Sequence, residues 1–407
     1  MKYVAPWWLP GGNLQTIWAA LRSRRFLGPP PQFRRQRWTT PDHDFVDVDW
    51  LDEAPTLPTA CGSRGLAGRG SRDASPLSPV QSCSSSFGAA GSSPAGALRL
   101  RPGQAGSAAP ACEERGPTLS SSGGDAAAGA LATRPLLVVF HGLEGSSESH
   151  YAEAFAAVAR SRGWACAVPH FRGCSGELNL APRAYHSGDF AEIDWILRRF
   201  AQEHAGPVLA VGISLGGNAL MRWAAEMGAS AREVVAGVAS VCSPLDLAAS
   251  GWAIGRGFNR QVYTRMFLRT MVPKALRKLD QHPGLFDRER LLAARDLYEF
   301  DNVFTAPLHG FKDADDYWER ASAKPHLHRV AVPALALNAL NDPFVPAFSL
   351  PAPAGVSAHV TLWQPAGGGH VGFPSAPFPG HVRAMPEAVT AFLAAQLGEP
   401  GPPPGAK

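Results

Sequence analysis

Residues 207–221 read Pro207-Val208-Leu209-Ala210-Val211-Gly212-Ile213-Ser214-Leu215-Gly216-Gly217-Asn218-Ala219-Leu220-Met221. A short apolar run enters a Gly-x-Ser-x-Gly turn and leaves as a helix. That order describes a nucleophile elbow, a sharp strand-to-helix turn with a serine at its tip. Such a turn holds its serine in a strained backbone conformation, so the residues two before and two after it must be small. Gly212 and Gly216 meet that demand, and Gly217 lets the helix start close to the strand. The helix N-terminus then aims backbone N–H groups at the place where negative charge would develop. Gly-x-Ser-x-Gly is weak evidence alone, because glycine and serine are common. The strand before it and the helical pattern after it give it weight.

Outward from the elbow, apolar runs alternate with helical periods. Pro135–Phe140 is fully apolar and ends in His141-Gly142-Leu143-Glu144-Gly145-Ser146-Ser147, which reads as a buried parallel strand and a tight loop. Tyr151–Arg162 has helical spacing, with Phe155, Val158 and Ala159 on one face. Trp164–His170 is a strand leading to Phe171-Arg172-Gly173-Cys174-Ser175-Gly176-Glu177, and Phe190–His204 is a second helix. The elbow helix runs to about Met227, and Val234–Cys242 is the next strand. Alternation returns with Ala334–Ala339 and Val360–Trp363, and Pro386–Leu397 closes as a helix with proline in its first turn. This pattern predicts an α/β fold, a mostly parallel central sheet with helices on both faces. Ahead of it, Arg34–Thr39 and Phe45–Leu51 flank Pro41-Asp42-His43-Asp44 and predict an antiparallel hairpin.

The chain divides accordingly. Residues 1–52 hold an N-terminal segment and the hairpin. Residues 53–133 are rich in Ala, Gly, Ser and Pro, with almost no aromatic side chains and no period. They cannot bury enough apolar surface to offset the entropy of ordering, so a disordered surface insertion is expected. Residues 134–397 form the core, interrupted at about 245–330 by helical pieces and aromatics that suit a cap. Residues 398–407 are a flexible tail. Near the start, Leu14–Phe26 is a helix candidate with a basic end, Arg22-Ser23-Arg24-Arg25. Two readings compete for Trp7, Trp8, Ile17 and Trp18. They pack on the body of the protein, or they touch a membrane surface with the arginines facing anionic lipid.

The 407 residues are 45% hydrophobic with a formal net charge of +4, enough for one large α/β domain with a cap or for two domains. The small, spread charge excess does not suit a nucleic-acid partner. Six cysteines show no paired spacing, so neither a disulfide framework nor a zinc site is expected, and a reducing compartment fits. Pro6-Trp7-Trp8-Leu9-Pro10 interrupts any apolar signal core, and no run approaches the roughly 20 apolar residues that span a bilayer. The expectation is a soluble, cytoplasmic protein.

A serine hydroxyl needs a base within hydrogen-bond reach, and that base needs a carboxylate to set its tautomer. In α/β-hydrolases these follow in the order Ser, Asp or Glu, His. Asp342 stands just after Ala334–Ala339, in Asn341-Asp342-Pro343-Phe344-Val345-Pro346. His370 stands after Val360–Trp363, in Gly367-Gly368-Gly369-His370-Val371-Gly372-Phe373. Taken singly, Asp342-Pro343 reads equally as a turn and His370 as a loop residue; together, in order at strand ends, with Ser214 they form a candidate triad. Backbone N–H groups of Leu143 and Leu215 are the candidate oxyanion hole. His141 is expected to shape that loop rather than act as the base. His326-x-His328 has no third ligand near it, and no histidine is spaced to activate Cys174 more plausibly than Ser214, so no metal or cofactor is expected and Cys174 reads as structural.

Taken together, these motifs resemble the YheT-like branch of the α/β-hydrolases, related to the abhydrolase-domain monoacylglycerol lipases. The resemblance rests on Gly-Gly-Asn-Leu-Gln-Thr-Ile at 11–17, His-Gly-Leu-Glu-Gly-Ser-Ser at 141–147 and Phe-Arg-Gly-Cys-Ser-Gly-Glu at 171–177. It continues with Tyr-His-Ser-Gly at 185–188, Gly-Ile-Ser-Leu-Gly-Gly-Asn at 212–218 and Thr-Ala-Pro-Leu-His-Gly-Phe at 305–311. Asn-Asp-Pro-Phe at 341–344 and Gly-Gly-His-Val-Gly-Phe at 368–373 complete it. It implies Ser214 as nucleophile, Asp342 as acid and His370 as base, in a carboxylic-ester hydrolase for short-chain esters or monoacylglycerols. The chain departs from the family at Asn13, often His, at Asn341, often a second Asp, and in the 53–133 insertion. Rival readings are an acyltransferase or thioesterase using the same triad, and a non-catalytic binding module on a hydrolase fold.

Overall fold

The apolar runs pair as strands covered on both faces. The computed structural model describes residues 2–52 and 133–398; the expected insertion, apart from Thr133, and the tail beyond Gly398 lie outside the described residues. The strands are β1 (Phe33–Thr39), β2 (Phe45–Leu51), β3 (Leu136–Phe140), β4 (Ala165–Pro169), β5 (Val208–Ile213), β6 (Gly237–Val241), β7 (Ala334–Leu337) and β8 (Val360–Trp363). They form one sheet in the order β1-β2-β4-β3-β5-β6-β7-β8. β1, β2 and β4 pair antiparallel, and every pair from β4 to β8 is parallel. The hairpin is therefore an antiparallel edge on a parallel sheet, as its alternation implied.

Side chains alternate across a strand, so each buried strand feeds two cores. Leu136, Val138, Phe140, Ala210 and Val238 face one layer with Ile193, Leu197, Phe200 and Trp223. Leu137, Val139, Leu209, Val211 and Ala239 face the other with Phe155, Val389 and Leu393. The helices are α1 (Gly12–Leu21), α2 (His150–Ser161), α3 (Phe190–Glu203), α4 (Leu215–Met227), α5 (Leu247–Ile254), α6 (Arg265–Gln281), α7 (Ala314–Ala321) and α8 (Ala384–Ala395). Between β6 and β7 the chain leaves the sheet and runs through α5, α6, α7 and several shorter helical pieces. Gly257–Asn259, a π-turn over Arg260–Thr264 and α6 form one unbroken rod. None of the described helices is long and apolar enough to cross a membrane.

Several expected elements stop short. The helix proposed for Leu14–Phe26 runs from Gly12 and ends at Leu21, because Arg24 bridges instead to 380–382 through Arg24 N to Gly380 O and Val382 N to Arg24 O, both 3.0 Å. The strand proposed for Val234–Cys242 begins at Gly237, since the amides of Val234 and Val235 donate to Ala231 O. The N-terminal aromatics pack in part. Trp8, Trp18 and Phe378 form a cluster with ring centroids 5.6 Å apart, and Trp18 Nε1 donates to Pro379 O. Trp7 stays 92% exposed.

The hairpin is tied to the loops at the top of the parallel strands by buried charge. Arg172 reaches Asp42, Asp44 and Glu192, and Asp49 accepts from Arg35, Ser147 Oγ and His170 Nε2. Such charges are tolerable inside a protein only because each is paired and hydrogen-bonded.

Backbone contact is closest at the elbow. A Cβ on Gly216 would run into the carbonyl oxygens of His141 and Phe140, neither of which can move without bending β3. Gly216→Ala is expected to cost about 1–3 kcal/mol through overpacking, read as a lower urea midpoint. Gly355→Ala, where the new atom meets nothing within 4 Å, is the control and should stay within about 0.5 kcal/mol of wild type.

Candidate active site

Ser214 sits between β5 and α4 at φ 52° and ψ −118°, a region that L-residues rarely occupy. Its amide donates to Val241 O at 2.8 Å, which pins the turn to β6. Of the seven described non-glycine residues with positive φ, five lie in the loops around this point: Glu144, Ser214, Cys242, Val371 and Phe373. Strain concentrated this way persists only where surrounding packing over-determines it.

Asp342 and His370 come to Ser214 from the ends of β7 and β8. Asp342 is buried, and its Oδ1 accepts from the amides of Phe344 at 2.8 Å and Val345 at 3.3 Å. His370 Nδ1 lies 2.9 Å from Asp342 Oδ2, and His370 Nε2 lies 3.0 Å from Ser214 Oγ. A carboxylate can only accept, so Nδ1 carries the proton and Nε2 is left to accept from the serine hydroxyl. The Phe344 ring lies over the imidazole with centroids 4.1 Å apart. The three side chains picked from the sequence are thus brought into one hydrogen-bonded line.

What the sequence reading missed is how the histidine loop is held. The clamp is α1, more than 300 residues upstream. Thr16 Oγ1 accepts from His370 N at 2.8 Å, and Gln15 Oε1 accepts from Gly368 N at 2.7 Å and from Asn341 Nδ2 at 3.0 Å. Asn341 Oδ1 in turn accepts from Gly369 N at 2.9 Å. Glycines allow this approach: a Cβ on Gly12 would strike Asn341 O, and one on Gly369, at φ 61°, would come within 2.6 Å of Gly12 O. The signal was present in the quoted 11–17 motif, but nothing in its spacing shows which loop it touches. Cys242 is a second omission. Its Sγ accepts from Val371 N at 3.2 Å, and burial followed by the nearby Asp342 carboxylate pushes its thiol well above the ordinary range. At the two departures from the family pattern, Asn341 belongs to this clamp and Asn13 Oδ1 accepts from Tyr263 Oη at 2.9 Å.

The loop after β3 is fixed from both sides. Tyr151 Oη accepts from Gly142 N and Tyr185 Oη from Glu144 N, each at 3.0 Å. The amide between them, that of Leu143, has no protein acceptor among the described residues, and neither has that of Leu215 at the first turn of α4. Both residues line the same pocket as Ser214. His141 is wholly buried, and its Nε2 accepts from Phe171 N while Nδ1 donates to Gly142 O. Burial pushes its pKa down to about 3, so it is neutral and fully committed to shaping the loop. Lys274 of α6 reaches this loop too, with Nζ 2.7 Å from Glu144 Oε1 and 3.5 Å from Cys174 Sγ.

The pocket beside Ser214 is lined largely by apolar side chains from the β6–β7 excursion, among them Leu247, Ile254, Phe267, Met271, Phe300 and Phe304. Asp301 also lines it, accepting from Thr305 Oγ1 at 2.6 Å and Trp318 Nε1 at 2.8 Å. Burial lifts this carboxyl to about 6. His326 and His328 lie on the turn Lys324–Arg329 and join no metal-ligating trio among the described residues. The trio that does form, Cys242, Asp342 and His370, has both imidazole nitrogens engaged by the carboxylate and the hydroxyl.

A family model described as the alpha/beta hydrolase fold matches residues 135–377, more than half of the chain, and the protein is an α/β hydrolase. Within that family it belongs to the YheT-like branch. It is 42% identical to YheT of Escherichia coli (strain K12) over 244 residues, 59% of this chain and 71% of that one. It is 29% identical over 277 residues to the phospholipase ABHD3 of Mus musculus, covering 65% of this chain and 64% of that one. The monoacylglycerol lipase of Saccharomyces cerevisiae is 28% identical over 250 residues, 59% of this chain and 55% of that one. The match therefore spans less than two thirds of the latter two relatives.

Two expectations follow from the geometry. Gln15→Leu orphans the buried Gly368 amide and Asn341 Nδ2, and should lower stability by about 1–3 kcal/mol, seen as a fall in urea midpoint; an unchanged midpoint contradicts the clamp. Asp301 binds its proton more tightly folded than unfolded, so the stability it contributes is complete below about pH 4 and is lost as pH rises through about 6. Asp301→Asn keeps the Trp318 bond and lets Thr305 turn to accept. It should remove about 3 kcal/mol of the stability difference between pH 4 and pH 8, measured by denaturant unfolding at each pH.

Proposed function

We propose that this protein is a serine carboxylic-ester hydrolase acting on short-chain esters or monoacylglycerols. The observation that carries the reading is the continuous line from Ser214 Oγ through His370 to Asp342, at 3.0 and 2.9 Å, beside an apolar pocket. Ser214 Oγ attacks the ester carbonyl carbon while its proton passes to His370 Nε2. Asp342 holds the ring and stabilises the imidazolium that forms. The oxyanion rests against the N–H groups of Leu143 and Leu215, each such donor supplying about 3 kcal/mol of transition-state stabilisation. His370 returns the proton to the departing alcohol, and water activated by the same imidazole then cleaves the acyl-enzyme.

The pocket supports the substrate class. Leu247, Ile254, Phe267, Met271, Phe300 and Phe304 offer an acyl chain an apolar lining next to the attacking oxygen. The β6–β7 excursion that supplies them acts as the cap over the site. Relatives that carry the names phospholipase and monoacylglycerol lipase also point to acyl esters.

Labelling by a fluorophosphonate probe tests the assignment. Wild type should label, and Ser214→Ala should lose both labelling and ester hydrolysis, the latter by more than about a thousandfold, with the urea midpoint retained. Label retained by the variant, or a folded wild type that neither labels nor hydrolyses any ester in a chain-length series, overturns it.

A further inference from the structure

The rod formed by residues 257–281 has two unlike faces. Its inner face lines the pocket through Phe267, Met271, Lys274, Ala275 and Lys278. Its outer side carries an apolar row at intervals of four, Phe258, Val262 and Met266, of which Phe258 is 54% and Met266 51% exposed. Beside that row lies a groove lined by Arg260, Arg265, Arg269 and Arg295 together with Leu268 and Val272. The sequence holds no acidic residue between Asp246 and Asp280, while seven cationic residues fall between Arg256 and Lys278.

Among the described residues, none of the four guanidinium groups in the groove has a carboxylate partner. The acids nearest in sequence to Arg295 are engaged elsewhere: Asp296 accepts from Glu299 N, and Glu299 Oε2 from the Arg295 amide rather than its side chain. Four like charges gathered without a counter-charge repel one another, and an arginine fork matches phosphate oxygens in pairs. Exposed apolar side chains next to that charge match the layered chemistry of a lipid surface, with phosphate outside and acyl chains beneath. Free phosphate would leave Phe258, Val262 and Met266 unexplained, whereas a membrane uses both features.

We propose that the outer face of this rod seats on an anionic lipid membrane, with phospholipid phosphates in the Arg260–Arg265–Arg269–Arg295 groove and Phe258, Val262 and Met266 entering the headgroup boundary. The same rod then separates lipid on one side from the pocket beside Ser214 on the other. This surface is made without Trp7 or Trp8 and does not depend on the hydrolase reading.

Co-sedimentation of the full chain with vesicles tests it without reading catalysis. Binding to phosphatidylcholine vesicles containing phosphatidylglycerol should exceed binding to pure phosphatidylcholine by at least about tenfold at about 0.1 M salt, and should be lost at about 0.5 M. Arg265→Gln/Arg269→Gln should weaken binding by about tenfold or more while its urea midpoint stays at the wild-type value. Equal binding to both vesicle types overturns the proposal. So does a double variant that binds as wild type, as it would if Trp7 made the contact, and so does displacement by inorganic phosphate at matched ionic strength, which marks a site for free anions.

Discussion

The structure depends on the backbone contact at the elbow. Ser214 can hold φ 52° only because Gly212, Gly216 and Gly217 let the start of α4 lie against the ends of β5 and β3. Side chains there would meet main-chain carbonyls, which have no rotamer through which to give way. The position of the serine is therefore set by two central strands of the sheet, each buried on both faces, rather than by a mobile loop. Since β3 to β8 run parallel, their C-terminal ends discharge on one edge. That is where the loops bearing Leu143, Ser214, Asp342 and His370 gather.

The second constraint is the way the outermost of those loops is restrained. β8 is the edge strand, and the loop after it contains four glycines within residues 367–372. Such a loop has many conformations to lose, and its own residues supply little to choose among them. The choice comes from α1, whose Gln15 and Thr16 accept the Gly368 and His370 amides, and from Cys242, which accepts the Val371 amide. Fixing three amides of one loop by side chains from two distant elements orients the imidazole toward Asp342 and Ser214 together. The tyrosines flanking Leu143 do the same for the loop after β3. In both places a flexible loop gains definition from hydrogen bonds at its backbone, and the side chain at its tip inherits the result.

The elements legible in the sequence were those whose evidence is local. An apolar run bounded by glycine and polar residues says strand, a 3.6-residue period says helix, and Gly-x-Ser-x-Gly between them says elbow, because each depends only on residues a few positions apart. The order of Ser214, Asp342 and His370 and their places after strands could likewise be read, since parallel strands with intervening helices confine their C-terminal ends to one side. Element ends depend on distant partners. Arg24 leaves the helical period because it pairs with residues 380–382, a partner invisible from its neighbours.

Only the tertiary structure decided what touches what across hundreds of residues. The Gly11–Ile17 motif appears in the sequence as a string, but its work is done on Gly368, His370 and Asn341. Cys242 looks like any strand-end cysteine until the His370 loop lies over it. Arg260, Arg265 and Arg269 lie five and four positions apart in the sequence, and only the rod places them with Arg295 in one groove. The physical reason is the same in each case. Local propensity and periodicity are properties of neighbours along the chain, whereas hydrogen-bond partners, burial and charge clustering are properties of neighbours in space, and those exist only once the sheet has assembled.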